Sequence, residues 1–258
     1  MEKASIIHSN LSDSQLIDKS VYNNLVYNTN KQIVSTASVG IPAINSLMPD
    51  GVLSSSAGIT TSGSPAGAYV LVNDTITDFT MESWFYLNNS GSGGAYSAFV
   101  STLLLNANFN TSNTTLGLVL GIEKNTGKLI TWQDGTYKTA TNLIPEYNQW
   151  NHIAVQKSGS NAIVYLNGTG SAPIAGACTI NNNHFGYSLA GSAYDVYDFN
   201  GYAKEFILTD RVKSQQEIQN YYNAVINNLS GSYADPSGAI KQGGDGGDGY
   251  VAVISYKY

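Results

Sequence analysis

The chain is poor in the residues that most often carry catalysis or staple a fold. It has one cysteine, Cys178, so no intramolecular disulfide can form and the small disulfide-stapled secreted module is excluded. Its neighbours Ala175, Gly176 and Ala177 offer none of the basic surroundings that activate a thiol, and a small buried apolar role is expected. Charge is scarce too. Only 12% of residues are Asp, Glu, Lys or Arg, against about 25% in an average domain. The 12 Lys and Arg are scattered and the formal net charge is −6, which argues against coating nucleic acid and against a polyanionic membrane surface. No apolar run approaches the roughly 18 residues that span a bilayer. The opening MEKASIIHSNLSDSQL lacks the apolar stretch and small-residue cleavage pattern of a secretory signal, so synthesis in a cytoplasm is expected.

Catalytic patterns are equally thin. His8, His152 and His184 have no metal-ligand spacing, and the glycine run over 243–249 lacks the Lys and the following helix of a phosphate loop. A strand with acidic residues at alternate positions would set carboxylates on one sheet face at glycosidase separations. Glu82, Glu123, Glu146 and Glu205 instead stand alone in their segments. Meeting of carboxylates from different strands is the remaining route to an enzyme, and the expectation is a protein without catalysis.

What the chain does have is strand pattern. Residues 151–157 and 161–166 alternate about the turn Ser158-Gly159-Ser160, as in a β-hairpin. His152, Ala154 and Gln156 oppose Ile153, Val155 and Lys157; Ile163 and Tyr165 oppose Ala162, Val164 and Leu166. Both faces are partly apolar, so this hairpin is expected to be covered on both sides. Irregular strands and loops are predicted over 1–70, at 25–27, 33–34 and 41–44, and further strands at 68–72, 79–87, 98–105, 116–122 and 128–132, with turns at 123–127 and at Asp134-Gly135. In the 79–87 strand, Trp84 and Tyr86 share one face, while Phe79, Met81, Phe85 and Leu87 share the other. One helix is predicted over 214–225, with Ser214 and Glu217 as a capping box and Ile218, Tyr221, Tyr222 and Val225 as its apolar stripe, packed on the sandwich edge. The fold class is all-β, an antiparallel β-sandwich with one short helix towards the C-terminal side. Residues 1–228 form the sandwich, and 229–258 form a glycine-rich linker and a terminal strand that needs a pairing partner.

Several segments carry a family resemblance. Trp150 and His152 with the hairpin that ends in Asn167-Gly168, the segment Phe79-Thr80-Met81-Glu82-Ser83-Trp84-Phe85, and Phe199-Asn200-Gly201-Tyr202-Ala203-Lys204-Glu205-Phe206 resemble the concanavalin A-like, laminin-G-like jelly-roll domains, in the family's order. The opening Ile6-Ile7-His8-Ser9 with Ile17-Asp18-Lys19-Ser20, and the helix after 214, fit the same pattern, over roughly 5–228. The glycine-rich run leading into Tyr250-Val251-Ala252-Val253-Ile254 resembles the ends of bacteriophage fibre and surface proteins. The resemblance implies a jelly roll serving as a virion structural protein, in a fibre, tail or capsid decoration, with lectin-like attachment to a host surface or glycan. Its partners would be other virion proteins or copies of itself, and its location the virion. The alternatives are a stand-alone carbohydrate-binding module and a jelly-roll glycoside hydrolase or lyase.

Candidate ligand residues follow from sugar chemistry, in which flat aromatic faces meet apolar sugar faces while Asn and Asp orient hydroxyls. Trp132, Asp134 and Tyr137 around one turn, and Tyr187, Tyr194 and Tyr197 elsewhere, are the candidates, while Trp84 and Trp150 are assigned to the core. No cofactor is required. Related domains often bind calcium, for which Asp195 and Asp198 are the weak candidates, although Lys204 stands where the family carries an Asp.

Overall fold

A computed structural model describes residues 4–10, 15–18, 25–29, 32–44, 51–55, 67–71, 76–88, 99–108, 116–123, 126–133, 136–139, 142–176, 184–187 and 199–227. Two antiparallel sheets form a sandwich. The larger has ten strands, following the path β14 (Thr169–Gly170), β13 (Asn161–Leu166), β12 (Trp150–Ser158), β7 (Phe79–Leu87), β17 (Gly201–Thr209), β1 (Ala4–Asn10) and β2 (Gln15–Asp18). To that path β15 (Ile174–Ala175) adds beside β13, and β5 (Gly51–Ser55), itself paired with β4 (Gln32–Ser35), adds beside β17. The smaller sheet has seven strands in the order β11 (Thr136–Thr139), β10 (Leu129–Gln133), β9 (Leu116–Glu123), β8 (Phe99–Asn108), β16 (His184–Tyr187), β6 (Gly67–Leu71) and β3 (Leu25–Thr29).

The predicted hairpin forms β12 and β13, closed by Gly159-Ser160 with Ser158 opposite Asn161. Its alternation sorts the two faces as expected. Ile153, Val155, Ala162 and Val164 join Phe79, Met81, Phe85 and Leu87 in the core between the sheets, where Leu118, Leu120, Ile122, Leu129 and Phe185 meet them from the other side. Full burial of so many large side chains, at about 1.5–3 kcal/mol each, is the main driving force for closing the sandwich. Phe79 and Phe185 meet edge to face across the gap at 5.1 Å, and Phe85 meets Phe199, just ahead of β17, in the same way at 5.2 Å.

Two expectations about helices change. A one-turn helix, α1 (Thr36–Val39), was not predicted; Ser35 caps it and Gly40, at φ 72°, ends it. The predicted helix is α2 (Gln215–Ile226), with both arms of the Ser214/Glu217 capping box in place. It packs across the outer face of the larger sheet rather than on the sandwich edge, over Trp84 and Ile207 of the central strands β7 and β17 and over Ala154 and Tyr165 of the hairpin. The cause lies in the sheet itself, whose central strands carry large apolar residues on both faces and need two covers.

Strand β17 holds the geometry together. It pairs with β7 on one side and, on the other, first with β5 and then with β1. Its pairing with β7 slips between Lys204 and Ile207, a bulge in which Glu205 adopts φ 54°. At the start of the strand Gly201 has φ 152°, and a Cβ there would lie 2.0 Å from the carbonyl oxygen of Tyr86. Gly201→Ala is therefore expected to cost about 3 kcal/mol, from overpacking together with backbone strain, read as a lowered urea midpoint. A loss below about 1 kcal/mol would show that β17 can move away from β7 without consequence.

Candidate functional site

The outer face under α2 holds a polar network that no single segment announces. Glu82 on β7 lies opposite Ala154 on β12 and Ile207 on β17, and is fully buried. One of its oxygens accepts a hydrogen bond from the Lys213 ammonium; the other lies 3.3 Å from Nε2 of the equally buried His152, two residues along β12. That second contact is off the line of a hydrogen bond, so Oε2 of Glu82 and both His152 nitrogens have no hydrogen-bond partner among the described residues. Rings enclose the imidazole instead, with centroids of Trp84 at 5.2 Å, Tyr221 at 5.1 Å and Tyr222 at 6.4 Å. Burial by itself opposes ionisation of Glu82, but the charge and hydrogen bond of Lys213, with the imidazole of His152 close by, outweigh it and hold the pKa at about 2.

The second buried carboxylate is Glu205. The bulge turns it beneath the helix, where it accepts a hydrogen bond from the Tyr221 hydroxyl, which in turn accepts one from Trp84 Nε1 at 3.1 Å. Desolvation pushes the pKa of Glu205 up, and the charge on Glu82 adds to that rise. The sequence places these two glutamates more than a hundred residues apart, whereas the pairing of β7 with β17 sets them under one helix.

Lys213 is held by the chain that carries it. Its amide donates to Thr80 Oγ1 at 3.0 Å, its carbonyl accepts from Gln156 Nε2, and Thr80 Oγ1 donates to the Arg211 carbonyl at 3.0 Å. Arg211 makes two hydrogen bonds to Glu217, at 3.2 and 2.6 Å, which tie the connection to the first turn of α2. The arrangement anchors a helix. It leaves neither carboxylate open to solvent, as attack on a substrate would require.

The same outer face carries an aromatic row. Trp150 on β12, Tyr86 on β7 and Tyr202 on β17 are direct partners in register, and all three are half-buried. Tyr86 meets Trp150 at 5.6 Å and 69°, and Tyr202 at 6.3 Å and 56°. Trp150 Nε1 donates to the Pro42 carbonyl at 2.7 Å, which fixes the indole. The three segments stay together past the aromatics: the Asn88 amide bonds the Asn200 carbonyl at 2.9 Å, and the Asn148 amide bonds the Leu87 carbonyl at 2.7 Å. The side-chain amides of Asn88 and Asn200 are 3.4 Å apart. Trp150 packs against the buried cluster of Trp84, Ile207 and Tyr221, in line with its assignment to the core, and its half-buried ring also belongs to this row. Trp84 is buried as expected.

Of the predicted ligand residues, Trp132, Tyr137 and Tyr187 are described, and they lie in the smaller sheet. Trp132 and Tyr137 are direct partners across the β10–β11 hairpin, in the smaller sheet, so their expected proximity in the backbone holds. Tyr187 ends β16, opposite Leu104 of β8, with β8 and β9 between it and β10. Asp134, Tyr194 and Tyr197, the calcium candidates Asp195 and Asp198, and the whole of 229–258 lie outside the described residues. Among the described residues no three His, Cys, Asp or Glu side chains are grouped to hold a metal ion, and no helix is long and apolar enough to cross a membrane.

Residues 55–219 match the sequence profile of the concanavalin A-like lectin/glucanases superfamily. The chain belongs to this family. A comparison with curated proteins finds no match. Among solved structures, botulinum neurotoxin type C, whose cell entry depends upon interaction with two ganglioside molecules, superposes with a TM-score of 0.57 at 16% identity, over 87% of this chain and 51% of that one. The binding domain of botulinum neurotoxin DC, in complex with rat synaptotagmin II, gives 0.57 at 16% over 89% and 52%. Trypanosoma rangeli sialidase with 2,3-difluorosialic acid as a covalent intermediate gives 0.58 at 14% over 86% and 32%. The concanavalin A-like chain thus spans about half of the neurotoxin chains and a third of the sialidase. At such identities the likeness is one of fold.

The two glutamates have opposite pH signatures. The Glu82 contribution to stability is present above about pH 4.5 and is lost as pH falls towards 2, because the folded carboxylate is the stronger acid. The Glu205 carboxylate opposes folding once it ionises, so its penalty grows as pH rises through its elevated pKa. Glu205→Gln is accordingly expected to raise the melting temperature at pH 8 and to leave it unchanged near pH 4. Lys213→Met strands the Glu82 charge and is expected to cost about 3–5 kcal/mol at neutral pH, measured by denaturant unfolding.

Proposed function

We propose that this protein is a non-catalytic carbohydrate-binding domain of lectin type. Membership of the concanavalin A-like lectin/glucanases superfamily carries the reading. The solved neighbours divide between proteins that bind, such as the ganglioside-dependent neurotoxin, and enzymes, such as the sialidases. Fold alone does not choose between the two. Support for binding without chemistry comes from the two buried glutamates. Each is committed to a structural partner, Lys213 or Tyr221, and neither faces solvent, so neither is placed to donate a proton to a glycosidic oxygen or to attack a sugar.

The family supports a stand-alone carbohydrate-binding module more directly than a bacteriophage virion protein. For the latter the support is the resemblance of the opening segment and of the glycine-rich end, and with it goes a mechanism of many weak contacts made useful by avidity on one particle.

The test is an array of immobilised neutral, sialylated and sulfated oligosaccharides, followed by incubation of any bound glycan with the protein. Saturable binding to at least one glycan class with no change in its chain length is expected. Shortening of the glycan would replace this reading with the hydrolase.

A further inference from the structure

Each member of the aromatic row on the outer face keeps part of its side chain accessible, although Trp150 also packs against the cluster of Trp84, Ile207 and Tyr221. Trp84, two residues back on the same strand as Tyr86, shows what a structural aromatic looks like here: fully buried, stacked on Tyr222 at 5.8 Å, with its indole N–H bonded to Tyr221. Trp150, Tyr86 and Tyr202, by contrast, are half-buried and keep part of their surface in water. We propose that this row, with the Asn88 and Asn200 amides beside it, is the carbohydrate subsite, and that it takes an uncharged pyranose oligosaccharide; the inference rests on the carbohydrate-binding reading above.

Three observations select that ligand class. The strip covers three adjacent strands, a length of about 10 Å, which matches two linked sugar rings rather than one. Its rings are tilted against one another by 69° and 56°, so the surface is corrugated. A planar aromatic ligand would need a flat plate, whereas successive sugar rings joined through glycosidic bonds are themselves turned. The polar groups alongside are carboxamides, which offer both donors and acceptors and so fit hydroxyl groups, and none of the five residues carries a charge that would call for a carboxylate or sulfate on the sugar. The one cation close by in register, Lys204 opposite Trp84, is buried.

The strip is also preset. The hydrogen bond from Trp150 to Pro42, the edge contacts within the row and the close approach of Gly201 to the Tyr86 backbone fix the rings before any ligand arrives, which lowers the ordering cost of binding.

The full chain is titrated with neutral hexose oligosaccharides of two to six units, and with sialylated and sulfated counterparts, while the indole N–H signals of its three tryptophans are followed by NMR. Trp150→Phe assigns the signal. The expected result is a shift of the Trp150 signal with a neutral oligosaccharide, and affinity at least about tenfold weaker in Tyr202→Ala with its melting transition retained. Neutral-sugar binding with the Trp150 signal unmoved and Tyr202→Ala at full affinity would overturn the inference and leave the lectin reading standing, as would loss of binding in Trp132→Ala alone. Binding confined to charged glycans would overturn the ligand class. Absence of binding to every glycan would overturn the lectin reading and this subsite with it.

Discussion

The outer layer of this protein depends on one buried ion pair, between Glu82 in the middle of the larger sheet and Lys213 on the way into α2. A carboxylate at the centre of a sheet face is costly unless its charge is answered, and here the answer comes from the segment that must also cover the face. The connection therefore cannot drift. The two hydrogen bonds of Thr80, the Gln156 contact and the Arg211–Glu217 fork all fix the same few residues, and α2 starts from that anchor with its apolar stripe already turned to Trp84 and Ile207. The aromatic row lies on the same sheet face and keeps part of its surface in water.

The same network shapes the case against catalysis. Two glutamates and a histidine under one helix make the kind of constellation from which a hydrolase can be built, and the perturbed acidities of Glu82 and Glu205 would flag an active site in another setting. All three are buried beneath α2. Access for a polymer would require the helix to leave, and the anchoring contacts oppose that. The backbone of Glu205, held in the left-handed region at about 1–2 kcal/mol of cost, is what brings its carboxylate to Tyr221.

Local pattern carried the reading a long way. Alternation assigned both faces of the 150–166 hairpin and of β7, because period-two patterning survives wherever one residue in two meets the core. The capping box located the start of α2, since its bonds form within four residues. What local pattern missed has a shared cause. The position of α2 on the sheet face, the approach of Glu82 to Glu205, and the alignment of Trp150 with Tyr86 and Tyr202 are all set by which strands become neighbours. The candidate aromatics were chosen by nearness in sequence, which found Trp132 opposite Tyr137 in one hairpin and could not find a row drawn from residues 86, 150 and 202.

The sequence by itself determined the all-β class, the two-faced strands, the capped helix and membership of the concanavalin A-like superfamily, because each is written in short-range periodicity or in the order of a few segments. Only the tertiary structure decided that the isolated acids would be sealed together beneath the helix and that three distant aromatics would share one open strip. The order β12, β7, β17 results from burying all the apolar faces at once, and a side chain's neighbours across strands follow from that global solution rather than from its own segment.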